Sequence, residues 1–256
     1  MRKIQILCLL FLAVAMGQAC QNGAPKEAEK AKTPAFTATP YWVSSTFVDA
    51  LEADSDSLAT AQCYELQFIG KDSVIYIYGG WEAAPGTFTV VDDKTIEISG
   101  EMFGDATLRI TQVSDQEIVM DLGTDREVHF RPVENHEHDP RGAAVLLVGQ
   151  HLAGTYIREN PFGRTNAKQP ITLNADGTVK GFEAYQTYQV PVGGDLADAG
   201  DGNMIYFSSS KQELFPLAWT KRGDTLDLWT LERVTGVDEK PYYEVGRMYD
   251  RLIRKK

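Results

Sequence analysis

The chain has 256 residues, 36 acidic against 25 basic side chains, a formal net charge of −11 and 43% apolar residues. No Lys/Arg cluster interrupts that acidity, which argues against nucleic acid or an anionic lipid surface as partner. The length suits one large or two small domains, and three cysteines, Cys8, Cys20 and Cys63, exclude a disulfide-dense scaffold.

The first stretch is a leader. Arg2 and Lys3 precede an almost unbroken apolar run from Ile4 to Met16, followed by Gly17, Gln18, Ala19 and then Cys20. A positive start, a short apolar core and small residues mark a secretory signal over residues 1–19; the run falls short of the roughly 20 apolar residues that span a bilayer. A cysteine directly behind the small residues resembles a bacterial lipoprotein signal. The resemblance implies lipidation of the Cys20 thiol, which then forms the mature N-terminus. Gly17-Gln18-Ala19 also fits ordinary small-x-small cleavage, which would release a soluble protein. Gln21 to Pro40 is rich in Ala, Lys, Glu, Thr and Pro and cannot bury enough apolar surface to offset its ordering entropy, so residues 20–40 are expected to form a flexible tether. Lipid contributes roughly 0.8 kcal/mol per buried CH2, so the acyl chains of a lipoprotein hold it on a bilayer without a transmembrane helix. The expected location is the bacterial cell envelope, anchored to the outer membrane.

From residue 41 the dominant period is two. Tyr64-x-Leu66-x-Phe68, Val74-x-Tyr76-x-Tyr78, Phe88-x-Val90, Ile96-x-Ile98, Leu108-x-Ile110 and Val128-x-Phe130 alternate as half-buried strands do. Turn clusters separate them at Gly70–Ser73, Asp92–Lys94, Ser114–Gln116 and Gly123–Asp125, the grammar of an antiparallel meander, sandwich or barrel. Only Thr46 to Leu58 suggests a helical turn, with Ser44 or Ser45 as cap and Phe47, Leu51 and Leu58 on one face. Residues 41–133 are expected to form the first lobe. Residues 134–147 break the period and are expected to link it to a second lobe, 148–256, with strands around Leu152–Ile157, Ile171–Val179, Met204–Phe207, Leu217–Thr220, Thr225–Leu231 and Tyr242–Ile253. Asn174 to Gly177 supplies a tight turn.

A weak internal repeat shows: Leu66–Val74 matches Ile171–Val179 in spacing and polarity, and Asp93–Ile98 matches Gly223–Leu228. Leu152-x-Gly154-x-Tyr156, Leu173–Thr178, Trp219-x-x-x-Gly223-Asp-Thr-Leu226 and Tyr249-x-Arg251 resemble the lipocalin-like domains of Bacteroidota lipoproteins over roughly residues 150 to 254. The resemblance implies small up-and-down β-barrels of about eight strands. The expected fold class is therefore all-β: two tandem antiparallel lipocalin-like barrels behind a signal peptide and tether.

Candidate chemistry is sparse. His136 and His138, with Glu134, Glu137 and Asp139, hold metal-ligating groups in the linker, where a solvated acidic hinge is the plainer interpretation. Asp195, Asp198 and Asp201 recur every third residue, unlike the alternating ligands of an EF-hand loop, and suit a Gly-rich surface loop. Cys63 precedes a strand and is expected to be a buried, inert thiol. His129 points opposite to Val128 and Phe130, toward solvent; His151 has no evident partner in sequence. No Gly-x-Ser-x-Gly, phosphate loop, His-Glu-x-x-His or dinucleotide fingerprint occurs. Trp42, Trp81, Trp219, Trp229, Tyr185, Tyr188, Tyr242 and Tyr243 either fill barrel cores or line a cavity. The expectation is a non-enzymatic envelope lipoprotein with Cys20 as lipidation site and no metal or cofactor. It would act as a monomeric binding or scaffolding module. Its partners would be the membrane, through the lipid, and a small apolar ligand or a protein. The alternatives are a protein-interaction module, such as an inhibitor or envelope-stress sensor, and a hydrolytic enzyme.

Overall fold

Eight strands follow one another around a closed antiparallel barrel: β1 (Tyr41–Ser44), β2 (Tyr64–Ile69), β3 (Ser73–Tyr78), β4 (Glu82–Val90), β5 (Thr95–Ser99), β6 (Leu108–Ser114), β7 (Glu117–Asp121) and β8 (Glu127–Pro132). Closure is made by β1 against β8, with Val43 opposite Arg131. This computed structural model describes residues 32–55, 58, 63–78, 82–100, 107–123, 126–133, 142–159, 169–182, 184–192, 203–211, 213–235 and 241–256. The alternation places Leu66, Phe68, Val74, Tyr76, Phe88, Ile96, Ile98, Leu108, Ile110, Val128 and Phe130 in one interior cluster, joined by Trp42, Ile118 and Met120. A 3-10 turn, Ala35–Ala38, plugs one end: Phe36 packs edge-on against Phe68 and Trp42, and its carbonyl accepts from Trp42 Nε1 at 3.2 Å.

β1 is buried on both faces. Trp42 points into the barrel, while Tyr41 and Val43 point out into a second cluster. Helix α1 (Ser45–Glu52) follows directly and buries Phe47 and Leu51 in that second cluster. The Ser44 hydroxyl does not cap it; Ser44 Oγ accepts from Tyr64 N at 3.2 Å instead.

The second half is an eight-stranded antiparallel sheet made of β9 (Gly154–Glu159), β10 (Pro170–Leu173), β11 (Val179–Lys180), β12 (Thr187–Gln189), β13 (Asn203–Ser208), β14 (Leu214–Arg222), β15 (Thr225–Thr235) and β16 (Pro241–Arg254). Its order is β11-β10-β9-β16-β15-β14-β13-β12. First and last strands pair, β9 with β16, as β1 pairs β8 in the barrel. Two closed barrels were expected, but this sheet is not closed. Its edges, β11 and β12, meet only at the Thr178–Thr187 bridge, where Val179 N donates to Gln186 O and Tyr188 N to Gly177 O. β11 and β12 are two and three residues long, too short to continue a ladder.

One half of the internal repeat survives. Leu66–Val74 and Ile171–Val179 are the same hairpin, second strand to third, in each unit. Asp93–Ile98 enters the fifth strand of its unit, whereas Gly223–Leu228 enters the seventh, so that match is shared turn grammar only.

A helix, α2 (Ala143–Leu152), covers the end of the second sheet and was not legible in the sequence. Ala143, Ala144, Val148 and Leu152 join Tyr156, Ile171, Leu173, Phe207, Leu217, Trp219, Leu228 and Leu252 in one cluster with Tyr41, Val43, Phe47, Leu51, Leu58, Cys63 and Val133 of the first half. The two halves thus share a core, and Thr33–Lys256 is a single compact unit. Arg254 locks the end of α2: its Nη2 donates to Ala153 O at 2.5 Å and His151 O at 3.3 Å, and its guanidinium lies 5.6 Å over the Tyr156 ring. Among the described residues no helix is long and apolar enough to cross a membrane.

Candidate functional site

The two interiors differ. Trp42, Leu66, Ile96, Ile98, Ile110, Ile118, Met120 and Phe130 are among the largest fully buried side chains, and they fill the middle of the closed barrel with apolar atoms. Tyr64, Tyr76 and Tyr78 sit at one rim, with Tyr64 stacked on Tyr76 at 5.9 Å. Burial first, then the neighbouring tyrosines, pushes the Tyr76 phenol above its ordinary value of 10.0, so it stays protonated.

The interior of the second sheet carries both charge and rings. Arg158 lies two residues beyond buried Tyr156 on the same face of β9. Its Nε is 2.6 Å from Asp250 Oδ2, and its guanidinium stands 5.1 Å over the Phe182 ring. The two charged side chains are 12% and 4% exposed, so both are held away from water and compensate one another. Phe182 stacks on Phe207 at 5.2 Å and 4°. Above this floor the end of the sheet opposite α2 carries Tyr185, Phe215 and Tyr249, with Tyr185 5.7 Å from Phe215 and Phe215 5.5 Å from Tyr249. Phe215 is 37% exposed. Tyr185, hydrogen-bonded to Tyr249, has its pKa raised by burial first and then by that bond. The result is a half-open aromatic rim over an aromatic floor, with one buried ion pair beside it.

A second polar cluster ties the halves together. Asp54, at φ 52° just past α1, holds Lys221 Nζ at 2.8 Å and His151 Nε2 at 3.0 Å through Oδ1, and its Oδ2 accepts from Gly223 N at 2.8 Å. Burial pushes the Asp54 carboxyl up, but the hydrogen bonds of Lys221 and Gly223 and the charges of Lys221 and His151 outweigh it and leave it below 3.8. Burial, then Lys221, depresses His151 below 6.5 against the pull of Asp54. Nearby, Asn203 Oδ1 accepts from Leu58 N at 2.6 Å while Nδ2 donates to Ser55 O at 2.9 Å. These groups pair with one another across the junction. A cleft of about 430 Å³ lies between α1, β8 and α2, lined by Val48, Glu52, Arg131, Val133, Leu147 and Gln150 among others. Arg131 is engaged there, 2.7 Å from Asp49 and 3.7 Å from Glu52.

The residues singled out from sequence scatter. Cys20, Trp81, the His136/His138 group with Glu134, Glu137 and Asp139, and Asp195, Asp198 and Asp201 lie outside the described residues. Cys63 is buried, and burial, then Glu65, holds its thiol well above 9.0. His129 is on the surface, its Nδ1 2.7 Å from Glu117 Oε1. His151, partnerless in sequence, has Asp54 as partner. Trp42 and Trp219 are core residues. Tyr188 is buried with its hydroxyl on Asn174 O, and Tyr242 donates to Glu244 on the long β15–β16 hairpin. Among the described residues no three His, Cys, Asp or Glu side chains gather as a metal site. Arg158, Asp250, Phe215 and Tyr249 were missed as a group. The available signal was parity: Arg158 shares its face with Tyr156, and Phe215 shares its face with Leu217 and Trp219. Comparison with protein-family models, curated proteins and solved structures finds no match to this chain.

Proposed function

We propose that this chain is a non-enzymatic, lipid-anchored binding module of the bacterial envelope, whose second, lipocalin-like sheet takes a small apolar ligand at the rim formed by Tyr185, Phe215 and Tyr249. The carrying observation is the contrast between a closed barrel whose interior holds fully buried apolar side chains such as Trp42, Ile98 and Phe130 and an unclosed sheet whose open end shows ring faces above Phe182 and Phe207. Apolar and aromatic lining with one polar pair for orientation is the usual composition of a small-molecule site. A non-catalytic role is supported by the engagement of Asp54, His151 and Lys221 with one another at the junction.

The test is a fluorescence titration of the mature chain with N-phenyl-1-naphthylamine. Phe215→Ala and Tyr249→Ala each weaken binding by about tenfold, the loss of one good ring contact. Tyr78→Ala, on the barrel rim, leaves it unchanged. Binding indifferent to both rim substitutions overturns the assignment.

A protein-interaction module is the second reading, favoured by the β15–β16 hairpin. Leu231–Thr235 pairs only with Pro241–Val245 among the described residues, leaving two ladder edges open, and Val245 is 49% exposed.

A further inference from the structure

Three large aliphatic side chains of the barrel are exposed: Ile69 at 45%, Val91 at 44% and Val113 at 59%. They are not scattered. In an up-and-down barrel the β2–β3, β4–β5 and β6–β7 turns all lie at one end, and Ile69, Val91 and Val113 each stand immediately before one of them. Ile69 and Val91 follow the interior residues Phe68 and Val90 and so point out of the barrel, and Val113 stands at the bulge between Gln112 and Ser114, where it is exposed. Their strands alternate with β3 and β5, so neighbours are about 10 Å apart around the rim. β1 begins and β8 ends at this same rim, and the described chain reaches the barrel here, from Lys32 through the Phe36 plug. Among the described residues, Tyr78 is the exposed large apolar side chain of the opposite rim.

We infer that this rim rests on the lipid bilayer, with Ile69, Val91 and Val113 in the headgroup layer. The inference rests on the proposed lipid anchor at Cys20. Cys20 lies 16 residues before Phe36, a length of chain that reaches at most about 55 Å at full extension. The rim at which the chain enters is therefore held within reach of the membrane at an effective concentration in the millimolar range, where three modest apolar contacts suffice to set orientation. Charge selects the lipid. The turns carry Asp72, Asp92, Asp93 and Asp115 against Lys71 and Lys94, so the surface suits zwitterionic rather than anionic headgroups.

The test separates orientation from anchoring. The mature chain, with a hexahistidine tag in place of Cys20, is held on phosphatidylcholine–phosphatidylethanolamine vesicles by a nickel-chelating lipid. An environment-sensitive nitrobenzoxadiazole label is placed in turn at Ile69→Cys, Val91→Cys, Val113→Cys and, as control, Tyr78→Cys; Cys63 is buried and stays unlabelled. The expected result is a rise in emission of about twofold or more at the three rim sites, none at Tyr78→Cys, and a smaller rise when phosphatidylglycerol replaces half of the lipid. No rise at the three sites, or an equal rise at Tyr78→Cys, overturns the inference. The anchor itself is read separately, from the mass of the Cys20 peptide in envelope fractions; an unmodified Cys20 sinks the anchor whatever the labels report.

Discussion

The Glu65 carboxylate, on the barrel wall, caps a helix that belongs to the other half of the protein: Oε2 accepts from Ala143 N at 2.7 Å and Oε1 from Ala144 N at 3.2 Å. Glu65 is 1% exposed, and the positive end of the α2 dipole lies against it. Gly142, at φ 94°, makes the approach feasible, because a Cβ there would stand 2.9 Å from Glu65 Oε1.

Removing this cap should loosen the junction. Glu65→Ala is expected to cost about 2–3 kcal/mol in urea unfolding, since two buried backbone N–H groups lose their acceptor. Burial pushes the Glu65 carboxyl above 4.5, against the hydrogen bonds of Ala143, Ala144 and Gln67. The folded chain therefore holds this proton to higher pH than the unfolded one. Its contribution is full below about pH 4.5 and declines as pH rises through the folded value. Glu65→Gln should flatten that decline in a pH series of unfolding midpoints.

The Asp54 cluster responds with the opposite sign. Its folded value is depressed, so its stabilisation is present above about pH 3.8 and is lost as pH falls through the folded value. His151, also depressed, loses stability as pH falls from about 6.5 toward its own folded value. Asp54→Asn keeps a residue tolerant of positive φ and is expected to cost about 1–2 kcal/mol at pH 7. In proton NMR the His151 titration should move down in Asp54→Asn and up in Lys221→Met.

Cys63 should be chemically silent. In a Cys20→Ser mature chain, Ellman's reagent is expected to find no thiol in native buffer over an hour and one thiol in guanidinium. A fast native reaction would contradict both its burial and its raised pKa.

The two halves should unfold together. One apolar cluster contains Val43 and Phe47 from the barrel side with Val148 and Trp219 from the other. Calorimetry should give one transition with matching calorimetric and van't Hoff enthalpies. Leu152→Ala, expected to cost about 2–5 kcal/mol, should lower that single midpoint rather than split it.

What the sequence made legible was the part governed by one-sided burial. Leu108 to Ile110 and Val128 to Phe130 alternate because one face meets the barrel core and the other meets solvent; Tyr64 to Phe68 is buried on both faces and shows its period only because Glu65 and Gln67 are polar. β1 escaped because Tyr41-Trp42-Val43-Ser44 is buried on both faces and has no period to show. α2 escaped because Ala143–Val148 is an apolar run enclosed by core on several sides, and length alone does not distinguish such a run from a strand. The long-range polar contacts were beyond reach for a different reason: Asp54 meets Lys221 across 167 positions and Asn203 meets Leu58 across 145, separations that local pattern does not encode. The aromatic rim was half visible, since Tyr185 stood out by type while Phe215 and Tyr249 are joined to it only by the curl of the sheet.

The seam between Lys180 and Thr187 has a dynamic consequence. Every neighbouring pair in the closed barrel is joined by a ladder, so widening it means tearing a row of bonds. The second sheet widens by parting one bridge, at the cost of two amide contacts, Val179 to Gln186 and Tyr188 to Gly177, and of the Tyr188 hydroxyl bond to Asn174 O. Those two amides are the places where deuterium should enter the sheet first, and breathing at that seam would let bulky guests slip between the strands without unfolding the shared core.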